Sequence, residues 1–192
     1  MQFPADFMKI KATGLQPAAG RILVSVPFYN DLIFNRSVVL LTDFNELSTA
    51  GLILNKKSES TVNEIIPSIK IDQRVYIGGP VMSDLLFGIH NHHGSKEPPL
   101  LDNLYVGYDN VLLALIENNA IQQLKYRFFI GYSGWSFGQL EEEIDRSMWV
   151  VSQETADFVL NTPSETMWEI AVKNLGEEYG HWLTFPKNIE DN

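Results

Sequence analysis

Cysteine is absent from the sequence, which excludes disulfides, thiolate nucleophiles and every zinc site that draws on cysteine. A metal would have to be held by histidine and carboxylates alone. Long apolar runs are missing too. The N-terminal MQFPADFMKIKATG has no apolar stretch of secretory-signal length, and no later run approaches a membrane span. The expected location is therefore the cytoplasm, with no membrane partner. Basic charge is scarce: 14 Lys and Arg stand against 24 Asp and Glu, a net charge of −10. The summed field repels phosphate backbones and anionic lipid surfaces. Lys9/Lys11, Lys56/Lys57, Lys70/Arg74 and Lys125/Arg127 are scattered pairs, and no recognition-helix pattern accompanies them, so direct nucleic-acid binding is not expected.

What is present suits a single domain with its own core. The chain has 192 residues, 45% of them apolar, including 11 Phe, 7 Tyr and 4 Trp, well above the hydrophobicity of disordered chains. No repeat, low-complexity tract or linker divides it. The reading is one domain over residues 1–192, with a lead-in segment at 1–19, a core at 20–183 and a tail at 184–192.

Strand signals begin at RILVSV (21–26) and continue at SVVLLT (37–42) and AGLILN (50–55), β-branched or aliphatic runs bounded by turn residues. Their near-continuous apolar character predicts burial on both faces. Thr61 and Glu64 form a capping box for a short helix that ends before Pro67. RVYIGG, LFGIH (86–90) and YVGY (105–108) read as strands, with NHHGSKEPPLLDN as a loop between the last two. Asp109 caps a helix through NVLLALIENN, and RFFIG (127–131) is a further strand. Ser136 and Gln139 read as a second capping box, opening the helix QLEEEIDR. A strand from Trp149 to Val151 and a short helix TADFVL (155–160) follow. Thr162, Pro163 and Glu165 then announce a helix that ends near Gly176.

Four groups of residues bear on chemistry. RFFIG, GYSGW and the following helix give the strand, turn and helix order that exposes a nucleophilic serine in hydrolases. That would make Ser133 a nucleophile with His90 or His181 as base, but Trp135 stands where the elbow motif needs its second glycine. The other reading makes GYSGW a tight turn whose Tyr132 and Trp135 anchor the core. His90, His92 and His93 supply at most part of a metal site, which would need Asp84, Asp102 or His181 from elsewhere. The turn GGPV (78–81) has backbone donors suited to an anion, yet lacks a phosphate-loop lysine and loses a donor at Pro80. Glu141, Glu142 and Glu143 point about 100° apart on a helix and read as a solvated face, with Glu142 spaced to pair with Arg146.

Together, GRILVSVP with Phe34, SVVLL, GLILN, GGPV, LFGIH, RFFIGYSGW, GQLEEE and Trp149 resemble the YqgE/AlgH family of bacterial proteins. The resemblance runs from Gly20 to Gly176 and takes in Phe158, Thr162, Pro163, Trp168 and Ala171. It implies an α+β fold: a single compact domain with a mixed, bifurcated or partly barrel-like β-sheet surrounded by helices. It implies no established activity. The family carries a transcriptional-regulator label, without an evident DNA-binding element in this chain. Where this sequence has Ser133 the family pattern also admits alanine, which weakens the nucleophile reading. Carried across residue by residue, the motifs mark Gly78, Gly79, Pro80, Gly131, Tyr132, Gly134, Trp135, Gly138 and Gln139 as a candidate binding site or as fold determinants. No catalytic residue, metal ligand or cofactor is assigned. The expectation is a non-catalytic regulatory or binding protein that engages a protein partner or a small ligand. A small serine-dependent hydrolase using Ser133 is the alternative.

Overall fold

The apolar runs at Ile22–Ser25 (β1), Val38–Phe44 (β2) and Thr49–Ile53 (β3) are strands with both faces covered. Ile22, Val24, Val38, Leu40 and Leu52 face one core cluster, while the alternating Leu23, Val39, Leu41 and Ile53 face another. The period of two along a strand divides the residues in this way. The computed structural model describes residues 13–28, 31, 33–94 and 97–186. Residues 1–12 of the lead-in segment and the last six residues of the tail lie outside them.

Strands Lys57–Thr61 (β4), Arg74–Ile77 (β5), Val81–His90 (β6), Tyr105–Val106 (β7), Tyr126–Trp135 (β8) and Trp149–Ser152 (β9) complete the sheet. Among the described residues it has nine strands, ordered β4-β5-β8-β3-β2-β1-β9, with β6 also on β8 and β7 on β6. β8 is shared by three partners. β6 runs antiparallel to it, β5 is parallel to it at Phe129 and Ile130, and β3 is antiparallel to it at Ser133, Gly134 and Trp135. The sheet therefore branches at β8, as the family resemblance implies, but it stays open and does not close into a barrel.

Among the described residues five helices flank the sheet: Val62–Ile65 (α1), Asn110–Glu117 (α2), Gln139–Asp145 (α3), Ala156–Asn161 (α4) and Ser164–Leu175 (α5), followed by a 3-10 helix at Glu177–Thr184. The fold is α+β and forms a single compact domain. The Thr61/Glu64 capping box is present, and Asp109 Oδ1 accepts from the Leu112 N–H at 2.8 Å. Two caps differ from the sequence reading. At α3 the N-cap is Gly138, in the left-handed region, while Gln139 Oε1 accepts from the Ser136 N–H at 3.0 Å. At α5 the N-cap is Pro163, one residue after Thr162, which instead closes α4. The buried Arg127 ties β8 to that junction, donating to the carbonyls of Leu54, Leu160 and Thr162. No helix among the described residues is long and apolar enough to cross a membrane.

Candidate functional site

GYSGW is not a turn. Its five residues continue β8 to Trp135, and the chain turns only at Ser136–Gly138 before α3. Gly131 is there because another backbone presses on the strand, a Cβ on it lying 2.4 Å from the Gly79 carbonyl oxygen. A Cβ on Gly78 would lie 2.2 Å from the Gly131 carbonyl oxygen, and one on Gly79 would lie 2.2 Å from the Tyr132 carbonyl carbon. Backbone approach this close excludes any side chain. The Gly78 carbonyl accepts from the Ile53 N–H at 2.9 Å and from Ser133 Oγ at 3.1 Å. Ser133 is fully buried, so its hydroxyl braces the crossing of the β5–β6 link over β8 and is not presented to solvent.

Neither proposed base reaches it. His90 pairs with Tyr126 at the far end of β8. Ser133 is seven residues farther along that strand, about 23 Å away at the usual strand rise. His90 is 3% exposed, stacks on Tyr105 at 5.5 Å, and accepts at Nδ1 from the His92 N–H at 3.0 Å. Burial, aided by the neighbouring His92, pushes its pKa down. β6 ends at His90, so His92 does not share its strand face. His181 lies in the 3-10 helix against Trp182 and Phe185, with Nδ1 2.8 Å from the Glu178 carbonyl oxygen. Among the described residues no three His, Asp or Glu side chains converge in a way that would hold a metal ion.

The remaining marked residues divide around one cleft. Tyr132, Gly134 and Trp135 line a cavity of about 550 Å³ between the β2–β3 hairpin and the end of β8. Gly78, Gly79 and Gly131 are buried, Pro80 is exposed, and Gly138 and Gln139 open α3. Leu47 and Phe137, on the cleft walls, are 88% and 77% exposed. Phe87 meets Tyr132 edge-to-face at 5.7 Å beneath them. None of the described residues lining the cleft carries a charge.

Glu143 is the site residue that sequence reasoning missed. Its Oε2 accepts from the indole N–H of Trp135 at 2.9 Å and of Trp149 at 2.8 Å, and its Oε1 accepts from Gln139 Nε2 at 3.0 Å. The two indoles pack edge-to-face at 6.1 Å, with Phe34 5.6 Å from Trp149. Of the acidic run, only Glu141 and Glu142 are exposed, Glu142 pairing with Arg146 at 3.4 Å. The signal was available: Glu143 stands three residues after Leu140 and so shares its inward face.

The sequence and the fold are similar to those of known proteins. The AlgH-like family model, DUF179, matches residues 22–180. A UPF0301 protein of Bacteroides fragilis is 37% identical over 97% of each chain, and one of Parabacteroides distasonis is 39% identical over 95% of this chain and 96% of its own. Among solved structures, a protein from Corynebacterium diphtheriae superposes with a TM-score of 0.76 at 24% identity, over 96% of this chain and all of that one. The AlgH protein from Pseudomonas aeruginosa does so at 0.68 and 24%, over 91% of this chain and 99% of its own. These two structures share the fold, and the family model together with the Bacteroides and Parabacteroides relatives carries the assignment: the chain belongs to the AlgH-like family.

Proposed function

We propose that this protein is a non-catalytic binding protein with a regulatory role, which engages a protein partner or a small ligand at the cleft between the β2–β3 hairpin and the end of β8. The observation that supports the reading is the cleft itself: about 550 Å³, uncharged, with Leu47 and Phe137 left in solvent on its walls. That volume falls within the usual range for ligand sites, and grouped exposed apolar side chains mark interaction surfaces. A net charge of −10 disfavours direct contact with DNA, so regulation would run through the bound partner or ligand. A hydrolase reading finds Ser133 buried and hydrogen-bonded, with His90 about 23 Å off.

The test compares pull-downs made with the wild-type chain and with a Leu47→Asp/Phe137→Asp variant. Both side chains are solvent-exposed, so the fold should survive the change, as circular dichroism would show. A specific protein or small molecule recovered by the wild type and lost by the variant supports the reading. Identical recovery in the two overturns it.

A further inference from the structure

A second cavity, of about 200 Å³, lies against the first turn of α5 and gathers Arg36, Lys56, Ser164 and Trp168. Arg36 has φ 49, uncommon for a residue with a side chain. Its guanidinium lies 4.6 Å over the Trp168 ring, and its Nη2 donates to the carbonyls of Phe185 and Pro186 at 2.6 and 3.1 Å. Its Nε is buried and has no hydrogen-bond partner among the described residues. Ser164 is 6% exposed, and its Oγ is likewise buried without a partner. This hydroxyl is near enough to help keep the Glu165 carboxylate ionised, but the pair lacks hydrogen-bond geometry. Lys56 Nζ, with three protons to donate, gives one bond to the Asn35 carbonyl at 2.7 Å.

The charges of this cavity are poorly balanced. Desolvation lowers the pKa of both Arg36 and Lys56, and the guanidinium lowers that of Lys56 further. Of the two carboxylates lining it, Glu165 is paired with Lys57, and Glu169 acts on the Arg36 guanidinium. Two buried donors without acceptors, beside two partly buried like charges, form an arrangement that an anion would satisfy at once.

We propose that this cavity binds a small oxyanion, a phosphate or carboxylate group, held by Arg36 Nε, Ser164 Oγ and Lys56 Nζ. It is separate from the cleft at the β2–β3 hairpin and does not depend on that cleft having a ligand. The experiment titrates the isotopically labelled full chain with inorganic phosphate, and in a second arm with acetate, at constant ionic strength in chloride. The amides of Asn55, Ser164 and Glu165 and the Trp168 indole N–H report by NMR. Saturable shifts confined to these groups are expected with at least one of the two anions, and the anion that saturates at lower concentration identifies the group bound. Ser164→Ala and Lys56→Gln leave the contacts of Arg36 intact and should each weaken binding about tenfold. Absence of saturation with both anions, or unchanged affinity in the two variants, would overturn the proposal.

Discussion

Glu143 joins three side chains through one carboxylate, and its removal should be felt in the core. The Trp135 and Trp149 rings it serves are 5% and 1% exposed, so Glu143→Ala would leave two enclosed indole N–H groups without an acceptor. We expect a loss of about 2–4 kcal/mol in denaturant unfolding, and about 1 kcal/mol for Glu143→Gln, whose carbonyl still accepts from the indoles. Equal losses in the two variants would contradict the role given to the oxygen. His90 provides a pH-dependent test. Burial lowers its pKa below the ordinary value of 6.5, so below about pH 6.5 the unfolded chain binds the proton more readily than the folded one. Stability should therefore hold above that pH and fall as the pH drops from there toward the lowered folded-state value. His90→Gln should flatten that part of the profile in thermal melts. The two residues differ in how far the sequence revealed them. The inward position of Glu143 is readable from its spacing to Leu140 but is missed when the acidic run is read as a solvated face, whereas the burial of His90 depends on Tyr105, which arrives from another strand.

At the scale of elements, the aliphatic strands of the central sheet and the caps of α1 and α2 were legible, because aliphatic runs and capping residues act locally, whereas the polar β4 was not. β8 was legible only to Gly131. Glycine and serine in GYSGW are turn residues by local preference, but here they allow the β5–β6 link to cross the strand, a contact made by residues some fifty positions away. The start of β6 escaped for a related reason. Its register with β8 shifts between Val81 and Leu86, and Met82 and Leu85 point into solvent, so no alternation marks the strand. The crossing makes a sharp prediction. Gly79→Ala places a methyl group 2.2 Å from backbone at φ 156 and should cost more than about 4 kcal/mol or abolish folding altogether. A Gly79→Ala protein with wild-type melting would show that the backbones are not in contact.

At the scale of the molecule, the sheet is covered on both faces, and helices pack around it with an opening of about 550 Å³ left beside the end of β8. Of the marked motif residues, Tyr132, Gly134 and Trp135 line that opening, so the GYSGW segment both closes the fold and shapes the cleft. The sequence could identify those motifs but not the walls: Leu47 and Phe137 carry no motif, and they line one cleft because the β2–β3 hairpin and the turn after β8 are brought together by β3 pairing with β8. The central claim is that this cleft is where the protein binds. Its most direct test is native mass spectrometry of the wild-type chain and of the Leu47→Asp/Phe137→Asp variant, isolated gently and identically from lysate of the native host. A reproducible added mass on the wild type that is missing from the variant is the predicted result. The same added mass on both, or a bare chain in both, would contradict the claim.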